Sequence, residues 1–221
     1  MASSGRSKSN LYTRTGDDGT SSLYTGERRA KDDAVFEALG SLDEVSSHLG
    51  VARVALRGAE AADGGDDVLV AIDAFLEGVQ SRLVELGSHV ATPLPPPSGA
   101  SDGSESDDED DPVATRRAAT AFPATHVAAM ETFIDEIDGA LPPLTMFILP
   151  GGTPASAHIH VARAVARRAE RTVARLRGPG GVSDDAFAYI NRLSDALFAV
   201  ARAICHAEGG TETVYSKGDP Q

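Results

Sequence analysis

The residues with the clearest chemical potential are the arginines between positions 163 and 171, where the sequence reads R-A-V-A-R-R-A-E-R. Residues three or four apart share one face of a helix, so Arg163, Arg167 and Arg171 should line up, with Glu170 beside Arg167. Each guanidinium is a permanently charged planar group that suits phosphate or carboxylate. Surface ion pairs contribute only about 0 to 1 kcal/mol. We therefore favour a multiply charged ligand over the alternatives, which are a solvated helix face or a salt-bridged seam between subunits.

A second candidate segment is the polar stretch from residue 13 to residue 31. Its glycines allow the backbone to bend closely around a ligand. Its hydroxyl groups and backbone amides can line a phosphate-binding concavity, and Lys31 adds a positive charge. Ordinary loops use the same residue types, so a plain polar leader is an equally good interpretation. The P-loop pattern G-x-x-x-x-G-K-[ST] is absent from the chain.

Three weaker patterns accompany these segments. Asn191 and Asp195 share a helix face and can hydrogen-bond a ribose, a base or an arginine, or simply register helix packing. Asp43 could pair with an arginine of the 163–171 cluster, in the same or a neighbouring chain, or lie exposed. The run F-I-L-P-G-G-T at 147–153 is either an anion site at a helix start or an ordinary capped helix entry.

The histidines do not suggest a metal site. His158 and His160 are two residues apart and therefore face different directions on a helix. No Ser-His-Asp or Cys-His grouping can be assembled, so we predict no protein-held metal and a reaction that needs no protein nucleophile.

Apolar periodicity predicts five helices and no strand of comparable length. Thr153 and Ser183 are predicted N-caps. Helices of this number and size predict an all-α, five-helix bundle over residues 31–215, preceded by a leader and loop at 1–30 and followed by a tail at 216–221. The predicted helices span about 32–57, 66–91, 125–141, 153–177 and 183–208.

An insert over residues 92–122 interrupts this pattern. It is rich in proline, and seven acidic residues lie between 102 and 111. Such a composition cannot bury enough apolar area to offset ordering, so we predict that the insert is disordered.

Composition limits the function classes. The net charge of −13 argues against general nucleic-acid binding, and no apolar run is long enough to predict a membrane span. Cys205 is the only cysteine, which excludes an intrachain disulfide and fits a reducing compartment. We expect an intracellular protein, in the cytoplasm or, in a eukaryotic source, in the mitochondrial matrix.

Taken together, the motifs resemble those of the PduO-type ATP:cob(I)alamin adenosyltransferases. The set covers about residues 11–215 and is specific in its order, although each block is weak alone. The insert and the extreme N-terminus depart from the family pattern. The matching blocks are Y-T-R-T-G-D-D-G-T-S-S at 12–22, T-G-E-R-R-A-K-D-D at 25–33, G-S-L-D-E at 40–44, F-I-L-P-G-G at 147–152, A-R-A-V-A-R-R-A-E-R at 162–171 and N-R-L-S-D at 191–195.

This resemblance implies a homotrimeric five-helix bundle that holds ATP between subunits and uses Mg²⁺. The implied reaction moves the 5′-deoxyadenosyl group of ATP to the cobalt of reduced cobalamin. Since cobalt is then the nucleophile, the protein positions the substrates and stabilises the leaving triphosphate. The implied further partners are a corrin reductase and a cobalamin-dependent enzyme.

The resemblance also implies roles for individual residues. Arg167 is implied to hold the triphosphate, and Phe147 to occupy the lower face of cobalt. Asp43 and Arg163 are implied to form a salt bridge across the subunit boundary. The implied ATP contacts are Thr13, Arg14, Thr15, Gly16, Ser21, Ser22 and Lys31 in the loop, and Arg167, Arg168, Glu170, Arg171 and Asn191 on helices.

Two other functions remain open from the sequence. A non-catalytic corrinoid carrier would use the same pocket without turnover, and an assay for adenosylcobalamin separates it from the transferase. A helical nucleic-acid binder would use the arginine cluster, but Glu170 and the overall acidity disfavour it.

Overall fold

The computed structural model describes residues 12–63, 67–93, 112–178 and 181–217. Within these residues the chain forms six helices and one two-stranded antiparallel sheet. The acidic run at 102–111 lies outside the described residues. The elements are β1 (Thr20–Ser22), β2 (Arg28–Ala30), α1 (Ala34–Asp63), α2 (Asp67–Val90), α3 (Pro112–Ala119), α4 (Thr125–Gly139), α5 (Pro154–Ala174) and α6 (Asp184–Ala207).

Helix α5 lies against both α1 and α6, and α6 also packs against α2 and α4. Its inward face carries alanines at heptad spacing, namely Ala155, Ala162, Ala166 and Ala169, all of which are buried. Small side chains let neighbouring helices approach closely. The larger core side chains come from the partners, such as Leu49 of α1 and Leu197 of α6, which are fully buried.

Helix α5, which carries the arginines, runs antiparallel to α1. Val35, near the start of α1, and Leu176, just after α5, line one cavity. Farther along, Arg168 of α5 pairs with Glu44 of α1. Moving forward along α1 therefore corresponds to moving backward along α5, and this register fixes which residues of the two helices can meet.

Local capping explains where α5 and α6 begin. The Thr153 side chain accepts a hydrogen bond from Ser156 N at 3.3 Å, and Pro154 occupies the first turn of α5. The Ser183 side chain accepts one from Ala186 N, also at 3.3 Å. Both predicted N-caps are confirmed. The run at 147–153 therefore ends in an ordinary capped helix entry.

The fold differs from the sequence-based prediction in three places. The prediction of a mainly helical chain is confirmed, but α3 is an additional helix within the described residues. The hairpin of β1 and β2 lies in a stretch for which no strand was predicted. The predicted disorder of 92–122 is wrong for residues 112–122, where α3 forms and Phe122 is buried. Residues 94–111 of that insert lie outside the described residues.

His89 explains why the end of this insert is held. Its Nδ1 lies 2.9 Å from the carbonyl oxygen of Thr120, and its Nε2 accepts a hydrogen bond from Ser183 N at 3.1 Å. The ring must therefore be neutral and protonated on Nδ1. Through this ring, the end of α2, the turn after α3 and the start of α6 are tied together.

This arrangement makes stability depend on pH. Burial lowers the pKa of His89 below its usual 6.5, so the unfolded chain binds more protons between pH 6.5 and the lower folded value. The contribution of the neutral His89 ring to the free energy of unfolding is fully present above pH 6.5. It is lost as the pH falls through the pKa of His89 in the folded state. Burial lowers the pKa of His160 in the same way.

We therefore expect Tm to decrease between pH 7.5 and pH 5, and the decrease to be smaller in His89→Gln. Calorimetric melts across this range measure both slopes. His206→Gln, a surface substitution on α6, is the matched control. An identical slope in His89→Gln and the unmodified protein would contradict the assignment.

No helix in the described part of the chain combines the length and the apolar character that crossing a bilayer requires.

Candidate functional site

The polar loop before α1 is held by Arg28 and Asp18, two residues that the sequence analysis did not select for the site. Arg28 Nη2 donates to the Thr15 carbonyl oxygen at 2.8 Å and lies 3.3 Å from Asp18 Oδ1. Asp18 also accepts from the Thr20 backbone N at 2.9 Å. The hydrogen bonds from Thr20, followed by the charge of Arg28, lower the pKa of Asp18. The pair thus holds the loop in a defined shape.

Gly16 and Lys31 face each other across this loop. A side chain at Gly16 would have its Cβ 3.1 Å from Lys31 Nζ and 3.1 Å from the Thr20 carbonyl oxygen. The Lys31 backbone N donates to the Gly19 carbonyl oxygen at 2.9 Å. The absence of a side chain at Gly16 therefore lets the ammonium group lie over the loop backbone, which makes a compact positive cradle.

The other predicted loop residues lie around this cradle. Thr13 Oγ1 and Thr15 Oγ1 are 2.8 Å apart, and Arg14 adopts a positive φ of 62°. Ser21 and Ser22 lie on β1, opposite Arg29 and Arg28 of β2. The predicted loop residues are thus brought together in the hairpin and the turn before it.

The arginines of α5 have different surroundings. Arg171 Nη1 donates to the Arg167 carbonyl oxygen at 2.8 Å, and Arg168 pairs with Glu44. Among the residues that the structure describes, the Arg167 guanidinium makes no hydrogen bond or ion pair. Arg167 is exposed and therefore available for an anionic ligand.

Glu170 and Asn191 meet between α5 and α6. Asn191 Nδ2 donates to Glu170 Oε1 at 2.8 Å. This contact leaves the amide oxygen of Asn191 and the second carboxylate oxygen of Glu170 for other donors. The structure thus brings these two residues together, and their contact with ATP stays a prediction.

Two cavities lie next to one another beside α5. The first, of about 560 Å³, has a wall of α5 residues at heptad spacing that ends in Arg168 and Arg171. The second, of about 510 Å³, is lined mainly by apolar residues and includes Phe147 and Arg163. Pro150 and His160 line both cavities. The first cavity is lined mostly by apolar residues and ends in two arginines, and the second carries three charged residues besides its apolar lining. The two cavities share a wall. We name them the arginine cavity and, after the majority of its lining, the apolar cavity.

Phe147 is the most exposed large apolar side chain of the described residues, with 82% of its surface accessible. An exposed aromatic ring in the lining of this cavity is accessible to a ligand that enters it. Arg163, in the same cavity, lies over the Phe198 ring, with its Cζ 5.2 Å from the ring centroid. Its charge is therefore held at the cavity wall.

His160 forms part of the wall between the two cavities, and sequence reasoning did not select it. The residue is 7% exposed, and its Nδ1 has no hydrogen-bond partner among the described residues. Burial, with the charge of Arg163 nearby, lowers the pKa of the imidazole. The ring is thus neutral at the boundary between the compartments. The only feature of the sequence that could have pointed to His160 is its helical spacing from Arg163 and Arg167.

Asp43 does not reach Arg163 within the chain. In the antiparallel register set by Glu44 and Arg168, the level of Arg163 on α1 is five residues beyond Glu44. Asp43 therefore lies six residues away from that level, about 9 Å along the helix axis. Its side chain is exposed, so any pairing with Arg163 requires a second copy of the chain.

The loop and the arginines are also separate within one chain. No contact of the described residues joins residues 13–22 to the arginines of α5. Within the described residues, the loop and the arginines are therefore two separate groups of side chains.

Comparisons with known proteins identify the family. The sequence matches the family described as cobalamin adenosyltransferase over residues 11–204. It is 40% identical over 212 residues to corrinoid adenosyltransferase MMAB of Homo sapiens, which covers 95% of this chain and 74% of that protein. It is 37% identical over 210 residues to a corrinoid adenosyltransferase of Mycobacterium leprae, covering 94% and 96% of the two chains.

A solved structure agrees with these matches. A phenylalanine-to-alanine variant of a PduO-type ATP:corrinoid adenosyltransferase from Lactobacillus reuteri, complexed with cobalamin and ATP, superimposes with a TM-score of 0.74. It is 28% identical and covers 94% of this chain and 99% of its own. The resemblance inferred from the motifs is confirmed, and the chain belongs to the cobalamin adenosyltransferase family.

Proposed function

We propose that this chain transfers the 5′-deoxyadenosyl group of ATP to the cobalt of reduced cobalamin and releases triphosphate. ATP-dependent adenosyl transfer to cobalamin is the activity of the family to which the chain belongs. The structural observation that carries the proposal is the wall shared by the arginine cavity and the apolar cavity. In this arrangement, a polyphosphate held by the arginines of one cavity would lie beside a corrin ring that contacts Phe147 in the other.

The arginine cavity supplies the nucleotide half of the site. Arg168 and Arg171 line it, and Arg167, next to Arg168 in the chain, has an exposed guanidinium without a partner among the described residues. Guanidinium groups form charge-assisted, bidentate hydrogen bonds to phosphate. We assign Arg167 and Arg171 to the triphosphate. Charge that develops on the leaving group would strengthen these contacts in the transition state.

The bond changes balance without a protein nucleophile. The electron pair of Co(I) attacks C5′ of ATP, the C5′–O5′ bond breaks, and its electrons leave with the triphosphate. Cobalt is formally oxidised to Co(III). The chain therefore contributes position, charge and exclusion of water, while the corrinoid supplies the nucleophile.

Phe147 would act on the metal before transfer. An axial nitrogen ligand donates electrons to cobalt and makes further reduction harder. A phenyl ring that occupies this face has no lone pair to donate, so it would leave Co(II) four-coordinate and easier to reduce. The exposed position of Phe147 on the rim of the apolar cavity supports this role.

We further propose that ATP binds between two copies of the chain, in a homotrimer. The loop around Lys31 and the arginines of α5 are separate in one chain, so a second copy would bring the two halves together. The exposed Asp43 would then pair with Arg163 of the neighbouring copy.

Complementation tests this assembly. We expect Lys31→Ala and Arg167→Ala each to lower turnover in pure samples. Mixed and co-refolded chains should recover activity, because some sites then combine an intact loop with an intact arginine face. Recovery would be absent if both halves of each site came from one chain, and the rate of the mixture would then equal the mean of the two variants.

Magnesium is assigned only as an ion carried by ATP. Among the described residues, no group of three or more potential metal-ligating side chains exists. Mg²⁺ commonly binds through substrate phosphates and few protein ligands. A corrin reductase, a cobalamin-dependent partner enzyme and the compartment stay predictions.

The direct test is an anaerobic assay with the purified protein, Mg-ATP and chemically reduced cobalamin. We expect the corrinoid spectrum to change to that of adenosylcobalamin, with one triphosphate released per product. Binding of both substrates without turnover would instead identify a corrinoid carrier and would overturn the transferase assignment.

A further inference from the structure

Arg202 is an almost completely buried cation that the proposed chemistry does not use. It lies on α6, and only 4% of its side chain is exposed. Its Nε donates to Glu212 Oε1 at 3.0 Å, and its Nη2 donates to the Pro142 carbonyl oxygen at 2.8 Å. Its Nη1 lies 3.6 Å from Asp138 Oδ1. One guanidinium thus joins α6 to the segment after α6, to the loop after α4 and to the end of α4.

Two of these connected segments meet at Phe147. The loop after α4 carries Phe147, and residues 211–215, which we name the support segment, run antiparallel beside it. Tyr215 N donates to the Phe147 carbonyl oxygen at 2.8 Å, and Leu149 N donates to the Thr213 carbonyl oxygen at 2.8 Å. Ile148 and Val214 form the bridge between these bonds. The backbone from the Phe147 carbonyl group to Leu149, directly after the residue that carries the ring, is therefore held by the support segment.

The support segment is fixed where it leaves α6. Gly210 N donates to the Cys205 carbonyl oxygen at 2.7 Å. A Cβ at Gly210 would lie 2.6 Å from Thr153 Cγ2, so only glycine allows the chain to pass the start of α5 this closely. Beyond this turn, Glu212 bonds to Arg202. The support segment is thus anchored at Gly210 and Glu212 before it pairs with the loop.

The exposure of Phe147 makes this backbone support necessary. With 82% of the residue accessible, the ring has little side-chain packing to hold it in place. Its position depends on the backbone, and the backbone depends on the support segment. Arg202 is buried whereas the Glu212 side chain is 30% exposed, and loss of the pair would leave the buried guanidinium without its closest carboxylate, which is costly. The Arg202–Glu212 bond therefore resists displacement of the segment.

We propose that Arg202 is a positioning residue for adenosyl transfer, which acts through Glu212 and the support segment to hold Phe147 against the corrinoid. This inference rests on the proposed function and adds to it a residue that touches neither ATP nor cobalt. Arg202 and Glu212 set how well the lower face of the metal is covered, while nucleotide binding depends on the arginine cavity.

The test compares Arg202→Met with the unmodified protein in three measurements: calorimetric ATP affinity, kcat starting from cob(II)alamin with a reductant, and the fraction of four-coordinate Co(II) seen by electron paramagnetic resonance. We expect ATP affinity within about twofold of the unmodified protein, and kcat and the four-coordinate fraction lower on the order of tenfold, as expected for misplacement of a reacting group. A conservative Arg202→Lys should recover part of the loss.

A double-mutant cycle shows whether Arg202 acts through Phe147. If it does, adding Arg202→Met to Phe147→Ala should cause little further loss of kcat, since the ring that Arg202 positions is already gone. Fully additive losses would overturn the proposal, as would an unchanged four-coordinate fraction in Arg202→Met.

A second pair of variants, which leaves Arg202 unchanged, keeps the test valid if Arg202→Met fails to fold. Tyr215→Pro removes the N–H that bonds to Phe147, and Tyr215→Ala keeps it. We expect the proline variant to have a four-coordinate fraction several-fold below that of the alanine variant, and equal fractions would overturn the proposal. Failure of the unmodified protein to make adenosylcobalamin would instead count against the proposed function, so the two failures are distinguishable.

Discussion

Phe147→Ala is expected to lower kcat by about 10²-fold when the reaction starts from cob(II)alamin with a mild reductant. This factor corresponds to about 2.7 kcal/mol of barrier. Without the ring, the axial nitrogen or water stays on cobalt and reduction to Co(I) becomes harder. When Co(I) is prepared chemically beforehand, the same variant should lose much less activity. Stopped-flow absorbance of the corrinoid measures both rates.

The contrast between these two starting states is the critical result. Equal losses from Co(II) and from Co(I) would show that Phe147 acts on transfer or on binding, and would contradict a role in reduction. Met146→Ala is the matched control, because Met146 is the adjacent residue and is also exposed, at 57%. The calorimetric affinity for ATP should remain close to that of the unmodified protein in both variants.

The parts of the fold that the sequence predicted well are those that local chemistry determines. The starts of α5 and α6 depend on Thr153 and Ser183, whose side chains cap backbone groups three residues away. The long helices follow from apolar periodicity, which α6 repeats from Ile190 to Ile204. Such signals lie within a few residues of the structure that they specify, so one sequence contains them.

The parts that the sequence did not predict depend on contacts between distant residues. Thr120 is held by His89, 31 residues earlier in the chain, and His89 also bonds to Ser183, 94 residues later. We predicted disorder for the end of the insert from its amino-acid composition, and composition contains no information about these distant partners. Helix α3, with eight residues, is likewise too short to show a periodic pattern.

Predictions about the site also succeeded for local features and failed for contacts between distant residues. Helical spacing predicted that Arg167 and Arg171 lie together, and Arg171 indeed bonds to the Arg167 carbonyl oxygen. Spacing did not reveal that Arg168 pairs with Glu44, or that His160 forms a wall between two cavities. Those facts depend on how α5 is rotated against α1 and α6, which the packing of the whole bundle determines.

Assays that start from Co(II) and from Co(I) also distinguish the proposed role of Phe147 from that of the arginines. If Phe147 acts on the reduction of cobalt, as proposed, its effect should disappear when reduction is supplied from outside. If Arg167 holds the leaving triphosphate, its effect should remain whichever cobalt state begins the reaction. One pair of assays therefore assigns each residue to a step.

Arg167→Ala is accordingly expected to lower kcat/KM for ATP by about 10²-fold from either starting state, within the range for removal of one transition-state donor. The guanidinium is exposed and unpaired among the described residues, so its removal breaks no contact of the fold and Tm should change little. Arg175→Ala, which removes an exposed arginine just after α5, is the control and should retain activity. Wild-type kinetics in Arg167→Ala would exclude the residue from the phosphate site.

Arg167→Lys distinguishes charge from geometry in the same assays. If charge alone stabilises the departing triphosphate, lysine should restore most of the rate, because an ammonium group also neutralises phosphate. If two parallel hydrogen bonds from the planar guanidinium are needed, lysine should restore only a small part of it. We expect the second result, because the leaving triphosphate must be held in line with cobalt and C5′, and a single rotatable ammonium group fixes a position less well than a bidentate contact.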